Sequence, residues 1–227
     1  MKNILTLAAF TLATAASSLA TALPVTYTTT LGTIGPAASY KAFSFTFQAF
    51  DPVTQKLTVK TDANYGGVIS GTTFGTGTGF PYTIGDLFFY NSSIKYGVAM
   101  TSHNGLTQGD LYLSPNVLNA GTVAGATAGR PNQEVQIGGG STFIGAGTLS
   151  TLNVGGTEWV STITFDASNA AFKTFLAGTF QFDFASATCG NDVVYGTVNG
   201  ISTTPEPASM ALIAGGLAVL AIRRKVA

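Results

Sequence analysis

Two stretches of this 227-residue chain alternate phenylalanine with polar residues. In one, Phe43, Phe45 and Phe47 are separated by Ser44 and Thr46; in the other, Phe180, Phe182 and Phe184 are separated by Gln181 and Asp183. Strand side chains point to opposite faces in turn, so each stretch places three rings on one face. A helix would scatter rings spaced two apart around its girth. Both stretches read as core strands, and with the other short strands described below they set the fold class: all-β, with antiparallel sheets as a β-sandwich or jelly roll.

The rest of the central region reads the same way. Short runs rich in Phe, Tyr, Val and Thr are separated by Gly, Pro and Asn. Residues 27–31 form a threonine-rich first strand. Residues 41–61 form a hairpin around the turn Asp51-Pro52-Val53-Thr54. Strands over 84–90 and 95–100 flank the turn Asn91-Ser92-Ser93, and a short strand covers 110–113. Residues 66–81 read as a glycine- and threonine-rich surface loop. The middle, 114–147, offers only a short strand at 134–137, and 145–156 has no usable period. Residues 158–165 return as a strand with Trp159, Ile163 and Phe165 on one face. Residues 169–176 make two helical turns capped by Asp166 or Ser168. The strands at 179–185 and 192–198 close the domain. About ten strands are expected, and no long helix.

Both ends of the chain are of another kind. Residues 1–22 combine Lys2, an apolar run and the small-x-small triplet Ala20-Thr21-Ala22, which reads as a signal peptide cut after Ala22, with Ala20 as the near alternative. At the other end, Pro205-Glu206-Pro207 cannot continue a helix or a central strand and reads as an exposed, extended tripeptide. Residues 208–222 carry no charge. As a helix they would reach about 22 Å at roughly 1.5 Å per residue, short of a hydrocarbon core of about 30 Å. Arg223, Arg224 and Lys225 follow as a basic stop that belongs on the cytoplasmic side. A permanent membrane anchor is the alternative reading of this tail.

The ordered tail resembles the PEP-CTERM sorting signal of Gram-negative bacteria, over 204–227. That resemblance implies recognition of Pro205, Glu206 and Pro207 by an exosortase. It also implies an inner-membrane-tethered intermediate held by the apolar helix, then delivery to the cell surface or the biofilm and exopolysaccharide matrix. The run from Phe184 to Val194, with Gly85-Asp86-Leu87 and Arg130-Pro131-Asn132, also looks like a recurring ending of PEP-CTERM proteins. It carries no known catalytic residues.

Composition narrows the function of the domain at 23–203. Once the two end segments are set aside, six basic and nine acidic side chains remain. Such a surface does not suit the phosphate backbone of nucleic acid. The single cysteine, Cys189, rules out an intrachain disulfide and a Cys/His metal cluster; it reads as a packed turn residue. His103, the one histidine, sits in a loop beside Ser102 without a nucleophile motif, so a packing role is favoured over a general base. Glu134 and Glu158, with the aspartates, are the carboxylates a glycosidase would need. Asp51, Asp86, Asp110, Asp183 and Asp192 are candidate ligands for a calcium ion that the sequence does not localise. Tyr65, Tyr82, Tyr90 and Trp159 could stack on sugars or pack in the core. Gly138-Gly139-Gly140 lacks the lysine of a phosphate loop.

No catalytic residue, metal ligand set or cofactor is assigned. The expectation is a non-enzymatic, exported structural or adhesive protein, processed by signal peptidase and exosortase. A carbohydrate-binding module for exopolysaccharide is the alternative, and an exported hydrolase the third.

Overall fold

The structure, a computed structural model, describes residues 23–28, 41–63, 74–75, 81–82, 84–113, 116–124, 128–156, 158–186, 190 and 192–201. Both end segments lie outside the described residues, with Ala20, Ala22, Pro205, Glu206, Pro207, Arg223, Arg224 and Lys225, as do Tyr65, Cys189 and most of the loop at 66–81. Among the described residues no helix is long and apolar enough to cross a membrane.

Among the described residues the fold is all-β with two short helices. One sheet has five strands: β1 (Val25–Thr28), β2 (Ala42–Asp51), β3 (Lys56–Ala63), β12 (Gly147–Gly155) and β13 (Glu158–Asp166), in the order β1-β2-β3-β13-β12. The other has six: β6 (Leu87–Tyr90), β7 (Lys95–Val98), β8 (Leu111–Leu113), β11 (Thr142–Gly145), β14 (Thr179–Ala185) and β15 (Val193–Asn199), in the order β11-β8-β7-β6-β14-β15. Two two-stranded sheets pair β4 (Phe74–Gly75) with β5 (Pro81–Tyr82) and β9 (Val117–Asn119) with β10 (Glu134–Ile137). Every pairing is antiparallel.

The two phenylalanine strands meet across one core. The Phe45 ring stacks on Phe182 with centroids 4.6 Å apart, and Phe47 meets Phe182 edge-on at 5.3 Å. Tyr27 of β1 closes on the same ring at 4.7 Å. Fully burying a ring of this size contributes about 1.5–3 kcal/mol relative to leaving it exposed. The helix Ala170–Ala177 extends the core by setting Phe172 and Phe175 at 4.7 and 5.0 Å from the Tyr96 ring.

The first alternation departs from expectation at one residue. The register slips between Ala42 and Ser44, so Phe43 is the extra residue of a bulge. Ala42 takes the inward position and is fully buried, while Phe43 is half-buried with Lys41 Nζ 4.9 Å from its ring centre. Only Phe45 and Phe47 of the three rings enter the core.

The cap of the helix Ala170–Ala177 also differs. Asn169, rather than Asp166 or Ser168, accepts the Phe172 N–H at 3.1 Å. Asp166 instead takes the Ser168 N–H at 2.7 Å, in the turn leading into the helix. Asn169→Ala is expected to cost about 1 kcal/mol in a denaturant melt. Ser168→Ala, at an exposed position, should leave that melt unmoved.

The middle of the chain, nearly blank in the sequence, supplies a cover for the outer face of the six-stranded sheet. Ile137 of β10 packs with Phe88, Ala99, Leu106 and Tyr112. Ala120, from the short helix Ala120–Ala124, and Val135 pack with Ala185 and Val193. Gly97 allows this approach, because a Cβ there would stand 2.8 Å from the Ile137 side chain.

Candidate functional site

Most candidate carboxylates hold the backbone together. Asp86 is fully buried; its Oδ1 accepts the Met100 N–H at 2.8 Å and its Oδ2 the Ile137 N–H at 2.7 Å. It thereby ties the six-stranded sheet to its cover. Asp192 accepts the Ala42 N–H at 3.0 Å, linking the start of β15 to the five-stranded sheet, and its own neighbour Val193 N–H at 2.9 Å. Asp110 accepts the Gly147 N–H at 2.8 Å, where the chain passes from one sheet to the other. Asp51 closes its own turn by accepting the Val53 and Thr54 N–H groups at 2.8 and 3.2 Å. The Thr54 hydroxyl, which donates to the other oxygen, and then those two backbone bonds hold its carboxyl below the usual range. Among the described residues no three His, Cys, Asp or Glu side chains converge on a metal-sized site.

His103 belongs to the Asp86 tie. It opens a tight turn in which Asn104 and Gly105 both have positive φ, 48° and 80°, the pattern an Asn-Gly hairpin turn requires. Its Nδ1 lies 2.9 Å from the Thr101 carbonyl oxygen. Its Nε2 lies 3.1 Å from Asp86 Oδ2, a close charge contact whose geometry falls short of a formed hydrogen bond. Burial favours the neutral ring, but the Asp86 carboxylate and the Thr101 and Ile137 carbonyls outweigh it, and the pKa sits above the usual histidine value. The Ser102 hydroxyl instead accepts the Gln108 N–H at 3.2 Å, so His103 and Ser102 are not joined as base and nucleophile.

Glu134 and Glu158 lie on different parts of the fold and do not form a pair. Glu158 opens β13 beside Asp62. Burial, then repulsion from Glu158, raises the Asp62 carboxyl above its usual value. Trp159 is half-buried between Asn153 and Ala63 in the five-stranded sheet, not an exposed stacking platform. The segment Arg130-Pro131-Asn132 borders a shallow depression of about 310 Å³ that Gln133 completes. Arg130 Nη1 donates to the Gly190 carbonyl at 3.0 Å, which brings two stretches of the resemblance together as a structural contact.

One cluster is unlike the others. On the outer face of the six-stranded sheet, Asp183 stands opposite Tyr195 and Phe88, and Tyr90 stands opposite Lys95. Glu134 reaches down from the cover to pair with Lys95. The ammonium lies 5.2 Å from the Tyr90 ring centre and 5.9 Å from that of Phe88. Asp183 is 7% exposed, and its Oδ1 is buried without a hydrogen-bond partner. Burial first, then repulsion from Glu134, raises its carboxyl to about 8, against the pull of Lys95. Burial and the neighbouring Asp183, Glu134 and Tyr195 push the Tyr90 phenol to about 12. At neutral pH both groups therefore keep their protons.

The sequence singles out Asp183, Glu134 and Tyr90 separately, for different roles, and misses Lys95 and Tyr195. The available signal is local: Asp183 is the only charge in a seven-residue strand otherwise built of Phe, Ala, Thr and Gln.

No curated protein and no solved structure shows significant similarity to the chain. The final strand ends at Asn199, and the buried Ile201 locks the chain to the helix Ala170–Ala177 through its N–H to the Leu176 carbonyl at 2.7 Å. Just beyond that lock, residues 203–225 match the PEP-CTERM protein-sorting motif, the signal of an exported protein that is processed by an exosortase and sorted to the surface.

Proposed function

We propose that this protein is a structural or adhesive component of the extracellular, biofilm-type matrix of a Gram-negative bacterium. In this reading a signal peptide over 1–22 starts export, and signal peptidase cuts at the Ala20–Ala22 triplet. Residues 23–203 fold outside the inner membrane as a two-sheet β-sandwich. The segment at 208–222 tethers the intermediate until exosortase acts at Pro205-Glu206-Pro207, with Arg223, Arg224 and Lys225 fixing topology.

The observation that carries the reading is the position of the motif, which starts at 203, two residues past the Ile201 lock. Cleavage at Pro205-Glu206-Pro207 would leave every described strand whole. The use of Asp86, Asp110 and Asp192 as backbone ties adds support, because it commits those carboxylates to stability.

The test is localisation in the native host. Glu206→Ala is expected to trap the membrane-held precursor and deletion of 208–227 to abolish it, and each to abolish normal surface display, read by fractionation, surface labelling and mass spectrometry of both termini. Unaltered maturation and placement of both variants would overturn the reading.

A further inference from the structure

A buried carboxyl without a hydrogen-bond partner is rare in a folded protein and calls for a cause. Asp183 is such a group, on the outer face of a sheet flanked by two other buried aspartates, Asp86 and Asp192, each of which accepts a backbone N–H on both oxygens. The polar groups around it are also unsatisfied within the protein. Among the described residues neither the Tyr90 nor the Tyr195 hydroxyl forms a hydrogen bond, and Tyr195 is 43% exposed directly across from Asp183. Three hydrogen-bonding groups without partners therefore lie together, beside an aromatic ring open to solvent.

We propose that Asp183, Tyr90 and Tyr195, bordered by the Lys95–Glu134 ion pair, form a binding site for a neutral polyhydroxylated glycan. Asp183 and the two phenols would exchange hydrogen bonds with sugar hydroxyls, and the Tyr195 ring would carry the apolar face of the sugar. This matches the usual make-up of a ligand site, a few convergent polar groups set among apolar surface.

The neighbours choose the ligand class. Lys95 already occupies the cationic position, paired with Glu134 and lying over the Tyr90 ring, so a second cation would be pressed against it. An acidic sugar would meet Glu134 and, on ionisation, Asp183. The raised pKa of Asp183 keeps the carboxyl in the form that donates to a hydroxyl. A neutral hydroxyl ligand satisfies all three groups without bringing in a charge.

The inference rests on the adhesive reading and gives it a ligand. Its test is separate from the localisation test. Full-length protein, purified in mild detergent, would be run by affinity electrophoresis through gels containing dextran, laminarin or galactomannan, with alginate as the acidic control. Retardation by at least one neutral polymer is expected, and none by alginate. Asp183→Leu and Tyr195→Ala should each weaken the interaction at least about tenfold, which corresponds to about 1.4 kcal/mol, with melting temperatures no lower than wild type. Asp183→Asn, which keeps a donor and an acceptor, should retain most of the binding. The assignment is overturned if no neutral polymer retards the wild type, if alginate alone does, or if both disruptive variants bind as wild type does. Tyr195 is an exposed position, so its variant reports on binding even should Asp183→Leu fold poorly. Loss of binding with intact surface display would remove the ligand and leave the matrix reading standing.

Discussion

Asp86→Ala is expected to lower the melting temperature by roughly 6–20 °C. Both carboxylate oxygens accept backbone N–H groups, from Met100 and from Ile137. Removing the side chain strands two buried donors, each costing about 1–3 kcal/mol. It also removes the charge that faces His103. Breaking a buried charged contact from one side costs about 3–5 kcal/mol in all, and each kcal/mol moves the melt by about 2–4 °C in a domain of this size. The damage should be local at first, because Asp86 joins the six-stranded sheet to the cover carried by β10. Hydrogen exchange at Val135 and Ile137 should therefore rise before that of β14. Asp86→Asn separates geometry from charge. It keeps one acceptor but turns an NH2 toward a backbone donor, so it should destabilise less than alanine. With the carboxylate gone, burial of His103 acts with less opposition and its pKa should drop, read from the ring C–H shift in an NMR titration. A loss under about 0.5 kcal/mol for Asp86→Ala, the range of ordinary surface changes, would show that the tie contributes nothing.

What the sequence discloses follows the range of the interactions involved. The alternations at 180–184 and 158–165 are legible because a strand buried on one face repeats every two residues. The same rule misplaces Phe43, because a bulge adds a residue and reverses the alternation without any mark in the composition. Residues 147–155 carry no readable period and yet form β12, a nine-residue strand. As the last strand of its sheet it has one neighbour, β13; Leu149 packs against the core, but Leu152 and Val154 are 65% and 49% exposed, so its apolar residues do not repeat along one face. The helix cap is off by one residue from the nearer candidate, Ser168, because Asn169, Ser168 and Asp166 are all competent caps and only backbone geometry chooses among them. The tail stands apart from all of these. It is a linear signal, with nothing to be assembled by folding, and so it can be read without a structure. The cluster around Asp183 is the opposite case: Lys95, Glu134, Asp183 and Tyr195 come from four separate strands, and only the sheet register and the fold of the cover bring them together.

That cluster also sets how stability should change with pH. Asp183 holds its proton up to about 8 in the folded protein, whereas an unfolded aspartate releases it near 3.9. Between those values the native state binds the extra proton, so stability is greatest on the acid side and falls as pH rises, by at most about 1.4 kcal/mol per unit from this group. Asp62 and His103, both raised, act in the same direction. Asp62 loses its contribution as pH climbs from the unfolded carboxyl range through its folded pKa, and His103 as pH passes from the unfolded histidine range through its own. Asp51, held low by its turn, acts in the opposite sense and matters only toward the acid limit. The wild-type melting temperature is therefore expected to peak in mildly acid solution and decline toward pH 8. Asp183→Asn has no proton to lose at this site and should flatten the decline. The gap in its favour should widen by roughly 3–6 °C per pH unit where Asp183 dominates. Glu134→Gln should act more weakly in the same direction, because it removes a repulsion but leaves Asp183 buried. Parallel melting curves for wild type and Asp183→Asn from pH 5 to 8 would mean that Asp183 is ionised at ordinary cost in the folded protein. The buried proton, and the donor it offers to a ligand, would go with it.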